Sequence, residues 1–274
     1  MNNSHQFSSS RIQEFQQKIL QWYKENGRHD LNFRKTTNPY HIHISEIMLS
    51  QTQVSRVEKY FKEWIEEYST FEDVAQATNM ELLQQWQGLG YNSRVLNFKK
   101  ACEQIIEEYN SQYPTSKDEL MKLRGVGSYV ASAICAFAYN QDIAVVDTNI
   151  RRILIHEGFA NEDMSQKELE EVAQSLVLKG KGREWTNALM DYGALVLSAK
   201  KTNVQSLSKQ GKFVGSSRYI RSFIVKECLK NSSCSIERIE EECQKYHLDC
   251  SKIIDKMVLE KTIYIDSGEI YIKN

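Results

Sequence analysis

The chain has 274 residues, 41% hydrophobic and 26% charged, a composition that supplies a globular core and excludes a disordered chain. Lys and Arg (35) nearly balance Asp and Glu (36), so bulk charge does not advertise a nucleic-acid partner, and such a reading must come from local charge and motifs. Absence of a run of ~20 apolar residues argues against a membrane partner, the N-terminus has no apolar signal core, and six cysteines are too sparse for a disulfide scaffold, so a cytoplasmic protein with reduced thiols is expected.

Taken in order, the elements are helical. QEFQQKILQWYKEN (13–26) places Phe15, Ile19, Leu20 and Trp22 along one helix face. Asn38-Pro39 reads as an N-cap and first helical position, opening a helix with Ile42, Ile44, Ile47, Met48 and Leu49. Amphipathic helices follow at 55–68, 80–89 and 92–109, then a short one at KDELMKL. GVGSYVASAICAFAY (125–139), NIRRILIHEGF, SQKELEEVAQSLVL and GREWTNALMDYGALVLS complete the helical run. Only two prolines and twelve glycines argue against a turn-rich β-sandwich.

Composition shifts after Leu197: residues 198–230 hold eight Lys/Arg against one acid, Glu227. RYIRSFIVKECLK, two further helices and a hairpin around Asp266-Ser267-Gly268 then follow in the order of a winged helix. The hairpin strands alternate Ile263/Ile265 and Ile270/Ile272. The late cysteines 228, 234, 243 and 250 match no usual metal spacing and are expected to be buried thiols; His41 and His43 are expected to be packing or solvent residues.

Three features suggest chemistry. In LRGVGSYVASAI (123–134), two glycines stand between helices, where backbone amides suit a phosphate oxygen. Asp147 follows AVV and directly precedes a helix, an N-cap whose carboxylate is expected to stay ionised. Glu46 interrupts a strongly apolar helix; burial there would raise its pKa and suit a general acid, whereas an outward-facing Glu46 would be ordinary surface.

With these residues in view, the chain resembles the helix–hairpin–helix (HhH-GPD) base-excision DNA glycosylases, and most closely the adenine DNA glycosylases of the MutY type. RKTTNPYHIHISEIMLSQTQV (34–54), WQGLGYNSR (86–94), LRGVGSYVASAI, VVDTNIRRIL (145–154) and NALMDYGALV (187–196) carry the resemblance, in family order. It implies an all-α, two-lobed fold with DNA between the lobes, plus the small winged-helix-like module of helices and a β-hairpin. The expected boundaries are 28–140 for a six-helix barrel lobe, 1–27 plus 141–215 for a second lobe, and 216–274 for the module.

The resemblance assigns residues. Glu46 matches the acid that protonates the flipped adenine, Asp147 the carboxylate facing an oxocarbenium-like sugar, and the two are expected to face each other across the cleft. Tyr129 joins this catalytic group where lyase members carry a Schiff-base lysine, so a monofunctional enzyme that leaves an abasic site is expected. Arg34, Asn187 and Val54 fall at base-pocket positions. Gln51 and Tyr91 match side chains that wedge into the base stack, Gly125, Val126 and Gly127 form the phosphate hairpin, and Asn149 joins the DNA-binding set. The partner implied is double-stranded DNA with a mismatch or lesion, bound by a monomer that is nucleoid-associated if bacterial. Excision of thymine or uracil from G·T or G·U pairs is the alternative, since such enzymes share Tyr129 and the carboxylates. A non-catalytic winged-helix DNA-binding protein is the reading from another class.

Three departures qualify the match. Asn187 stands where the family commonly has Gln or Glu. A C-x6-C-x2-C-x5-C set that holds a [4Fe–4S] cluster is replaced, without gaps, by Leu197, Val204, Leu207 and Phe213, so a hydrophobic plug and no cluster are expected; a monovalent cation at the hairpin is compatible. The C-terminal ~60 residues are too short for the usual Nudix-like domain that senses 8-oxoguanine, and after residue 230 they carry nine acids against six bases, which weakens a DNA role for the module.

Overall fold

A computed structural model describes residues 7–202, 204 and 211–274. The described residues are mainly helical: α1 (Ser9–Asn26), a 3-10 turn (Asn32–Arg34), α2 (Pro39–Leu49), α3 (Val54–Glu67), α4 (Phe71–Gln76), α5 (Asn79–Gln85), α6 (Ser93–Glu108), α7 (Lys117–Leu120), α8 (Ser128–Tyr139), α9 (Thr148–His156), α10 (Gln166–Ser175), α11 (Gly182–Leu195) and α12 (Ala199–Thr202). The C-terminal order is α13 (Ser217–Asn231), β1 (Cys234–Ser235), α14 (Ile236–Gln244), α15 (Cys250–Leu259), β2 (Ile263–Asp266) and β3 (Glu269–Ile272). Among the described residues no helix is long and apolar enough to cross a membrane.

Local chemistry starts several of these helices, among them α4, which the sequence reading did not identify. Asn38 Oδ1 accepts from the Tyr40 amide at 2.9 Å, with Pro39 supplying a first residue that needs no donor. Thr70 with Asp73, Thr78 with Glu81, and Ser165 with Glu168 close reciprocal capping boxes on α4, α5 and α10. Asp147 caps α9.

The chain divides into two compact units, one drawn from Met1–Glu46, Tyr113–Lys122 and Val126–Lys209, the other from Ile47–Gln112, Leu123–Gly125 and Gln210–Asn274. In the first, Phe15 and Ile19 of α1 pack with Ile150, Ile153 and Leu154 of α9 and with Trp185 and Ala188 of α11. Tyr23, rather than Leu20 or Trp22, completes the buried stripe of α1, because 15, 19 and 23 follow the strict i, i+4 row. Leu197 joins this core, and Val204 is buried too. Phe213 is 51% exposed and stacks edge-on to Tyr219, which corrects the four-residue plug; Leu207 lies outside the described residues.

Helix α11 approaches α9 closely at Gly193. A Cβ there would sit 2.8 Å from the Asn149 Cβ and 3.0 Å from its carbonyl oxygen. Gly193→Ala is therefore expected to destabilise the fold by about 1–3 kcal/mol, read as a lower midpoint in a urea titration.

In the second unit, Trp64 meets Trp86 edge to face at 5.8 Å and Phe98 at 6.3 Å, and Leu82 and Val57 are buried too. The C-terminal module belongs to this unit, with α13 packed on α5. Its three antiparallel strands run β1-β3-β2. Ser267 (φ 51°) and Gly268 (φ 81°) form the two-residue turn, the left-handed pair that a type I′ hairpin requires. Ile263, Ile270 and Ile272 are buried as expected, but Ile265, near the turn end of the edge strand, is 42% exposed. Cys228, Cys234 and Cys243 are buried free thiols and Cys250 is half-buried.

Candidate active site

Glu46 lies on α2 with Ile42, Ile44, Ile47 and Met48, and the helix buries nearly its whole circumference. The residue is only 4% exposed, so the outward-facing reading does not hold. Burial pushes its pKa up to about 7; the nearby Asp147 charge pushes the same way, while the Tyr129 hydroxyl and the Arg34 cation pull it down. The Tyr129 Oη donates to Glu46 Oε2 at 2.8 Å. Tyr129 sits in the first turn of α8, and its own pKa is driven well above the phenol range by burial and by the two carboxylates. Removing this donor removes a downward pull. Tyr129→Phe is thus expected to move the Glu46 midpoint above 7, visible in a carboxyl-carbon NMR titration of the full chain.

Asp147 Oδ1 accepts from the Ile150 amide at 2.7 Å and Oδ2 from Asn149 Nδ2 at 2.8 Å. Burial nevertheless raises its pKa; the Ile150 and Asn149 hydrogen bonds and the Arg152 charge oppose that rise. The cap is as read from sequence, but burial outweighs the downward pull that the cap supplies. Asn149 also accepts from Arg152 Nη1 at 3.1 Å, which fixes the amide that orients Asp147. Glu46, Tyr129 and Asp147 all belong to the first compact unit.

Arg34 is gripped by Asp191 of α11: Nη1 donates to Oδ2 at 2.7 Å and Nη2 to Oδ1 at 2.8 Å. Arg28 adds its amide to Oδ2 and its Nε to Oδ1, both at 2.7 Å. Burial alone would raise the Asp191 pKa, but Arg34 and Arg28 outweigh it and hold the carboxylate below its usual range. Arg34 and Asn187, with Tyr23, His29, Arg183 and Glu184 among their neighbours, line a cavity of about 610 Å³. Glu46 and Asp147 are not part of that lining.

At the hairpin, Gly125 has φ 81°, and a Cβ there would meet the Asn97 Cβ at 2.8 Å, so only glycine fits. Gly127 is extended and open, which leaves the start of α8 unobstructed, while Val126 is buried. In the second unit, Gln51 (φ 66°) and Tyr91 (φ 49°) both occupy the left-handed region that side chains rarely adopt. Arg94 enforces this local shape. It donates to the carbonyls of Ile47 and Ser50 below Gln51, and to those of Leu89 and Gly90, at 2.9 and 3.0 Å, below Tyr91. Val54 begins α3 in this unit, half-buried.

Sequence reasoning missed Asp191 and Arg94, whereas His43 was expected to be a packing or solvent residue and is a packing one. Asp191 is an acid inside the apolar DYGALV helix, the same signal that singled out Glu46. Arg94 gave no signal, because a guanidinium serving five carbonyls looks like any surface arginine until the turns fold around it. His43 is fully buried, accompanied by Tyr113 at 3.2 Å, and burial depresses its pKa to about 3, so it packs as a neutral ring.

Comparison with known proteins gives a consistent family. Residues 44–179 match the HhH-GPD superfamily of base excision DNA repair proteins. The chain is 37% identical to an adenine DNA glycosylase of Mycolicibacterium smegmatis over 186 residues, 66% of this chain and 63% of the relative. It is 34% identical to that of Buchnera aphidicola subsp. Baizongia pistaciae over 259 residues, 91% of this chain and 65% of the relative. The chain thus spans under two thirds of the length of these relatives. Among solved structures, a thermostable thymine-DNA glycosylase aligns with TM-score 0.65 and 28% identity, covering 70% of this chain and 90% of that one.

Proposed function

Since the chain belongs to the HhH-GPD superfamily of base excision DNA repair proteins, we propose that it is a monofunctional adenine DNA glycosylase acting on A mispaired with 8-oxoguanine or guanine in duplex DNA. The observation that carries this reading is the buried Glu46 beside Tyr129, with a pKa near 7 that keeps a proton available at neutral pH.

In this mechanism Glu46 delivers its proton to N7 of the extruded adenine. The C1′–N9 bond breaks with its electron pair leaving on the base, and positive charge grows on the sugar. The Asp147 carboxylate stabilises that charge. Water then adds at C1′, its proton passes to the Glu46 carboxylate, and an abasic site remains. Asn149 and the Ile150 amide aim Asp147. Tyr129 holds Glu46 through its hydroxyl and, having no amine, forms no Schiff base with the sugar. Arg34 and Asn187 serve the base pocket, Val54 its edge, Gln51 and Tyr91 the base stack, and the 125–127 hairpin a backbone phosphate.

The residues at the family's cluster positions do not fit a [4Fe–4S] group. Leu197, Val204, Leu207 and Phe213 offer no thiolate, and no cysteine lies between Cys135 and Cys228, so no step here depends on a cluster.

The experiment is single-turnover excision on duplexes carrying A·8-oxoG, A·G, A·C, T·G, U·G or only paired bases, with alkali to reveal abasic sites. Release of adenine opposite 8-oxoG or G is expected. Release of T or U opposite G, with adenine untouched, overturns the substrate assignment in favour of the mismatch-thymine reading. Absence of excision from every duplex would leave the enzyme reading without support.

A further inference from the structure

Tyr91 is an exposed aromatic whose position is unusually constrained. Its backbone is held left-handed by the Arg94 and Trp86 donors to the Gly90 carbonyl. Its ring is 39% exposed, yet two guanidinium groups lie against it, Arg94 at 5.6 Å and Arg218 at 5.7 Å from the centroid. Its hydroxyl accepts a hydrogen bond from Arg218 Nη1 at 2.6 Å.

Arg94 is a neighbour within the same turn, but Arg218 comes from α13 of the C-terminal module. Its other terminal nitrogen donates to the Gly211 carbonyl at 2.8 Å, which fixes the fork. The base of Arg218 is equally fixed. Ser216 caps α13, Ile220 and Ile224 beneath it are fully buried, α13 packs on α5, and Asn79 bonds the Lys273 carbonyl at the far end of the module. An exposed tyrosine would ordinarily lose rotamer freedom on meeting a partner; one already clamped loses less.

We infer that Arg218 is a positioning residue that presets the Tyr91 ring for insertion into the DNA base stack, so that the C-terminal module is a working part of lesion recognition. This rests on the proposed role of Tyr91 as a stacking wedge. It also gives the module a purpose that its acidic surface beyond residue 230 does not suggest, since it acts on DNA through Tyr91.

The test uses the full chain and a duplex with one A·8-oxoG pair and 2-aminopurine next to the 8-oxoG. Unstacking is read as the fluorescence rise on binding, alongside affinity and single-turnover rate. Arg218→Ala is expected to cut the fluorescence rise and to slow excision three- to tenfold, with affinity for fully paired DNA changed less than twofold. Tyr91→Phe, which keeps the ring and loses the acceptor, should show a smaller loss of the same kind. In a Tyr91→Ala background, Arg218→Ala should add nothing. Equal losses from Arg218→Ala in both backgrounds would show that Arg218 contacts DNA directly and would overturn the inference, as would a wild-type fluorescence rise in Arg218→Ala. If Tyr91→Ala itself behaves as wild type, the wedge reading fails, and the role of Arg218 falls with it. Unchanged thermal unfolding of each variant excludes a folding defect as the cause.

Discussion

Glu46→Gln is expected to abolish excision, by about 10²–10⁴-fold or more, while duplex binding is retained. The amide fills the same space and can still accept from Tyr129, but it has no proton to give. The wild-type rate should fall as pH rises through about 7, where the buried carboxyl ionises. The same substitution should also change stability, with a definite sign. The folded pKa is raised above the ordinary carboxyl value, so the folded state holds its proton more tightly. Stability from this group is full below about pH 4.5 and is lost as pH rises through about 7. At pH 8 the buried charge therefore costs the wild type on the order of 1–3 kcal/mol, and Glu46→Gln should melt several degrees higher. A variant that excises at the wild-type rate would remove Glu46 from the chemistry; one that melts no higher at pH 8 would show that the charge is solvated.

Asp191→Ala is expected to be the most damaging of the substitutions considered for stability. Asp191 is fully buried and takes hydrogen bonds from Arg28 and Arg34, while Arg34 is itself only 10% exposed along its side chain. Deleting the carboxylate leaves a guanidinium with little solvent and no counter-charge, a loss of about 3–5 kcal/mol or roughly 10 °C in melting temperature. The pH signature runs opposite to that of Glu46. The folded pKa is depressed, so this contribution is present above about pH 4 and disappears as pH falls through the lowered value. Activity should respond as well. Arg34 already pulls the Glu46 pKa down, and an Arg34 freed of Asp191 would pull harder, shifting the alkaline limb of excision to lower pH. Melting within a degree or two of wild type would mean that water replaces the carboxylate without loss.

These two buried acids show how far local pattern reaches. Both stand among apolar residues of a helix, but only Glu46 was singled out from the sequence. Their opposite pKa shifts were not legible there. Two arginines hydrogen-bond Asp191 and outweigh its burial, whereas for Glu46 burial outweighs the Tyr129 hydroxyl and the Arg34 cation, with Asp147 adding to the rise. The Asn38 and Asp147 caps and the Asp266-Ser267-Gly268 turn could be read directly, because each depends on groups a few residues apart. The hydrophobic plug failed in part because matching apolar residues to the cluster positions says nothing of what covers them, and Phe213 remains half-exposed.

By itself the sequence determined that the chain is mainly helical, where most of its helices lie, that two glycines stand between helices at 125–127, and which carboxylates are candidates for chemistry. Tertiary packing alone decided what those carboxylates are. Tyr129 reaches Glu46 across 83 residues of chain, Arg34 reaches Asp191 across 157, and Arg218 reaches Tyr91 across 127. Caps and periodicity are written within one helical turn. A pKa is set instead by the dielectric and the charges within a few ångströms, and those neighbours exist only once distant segments pack together.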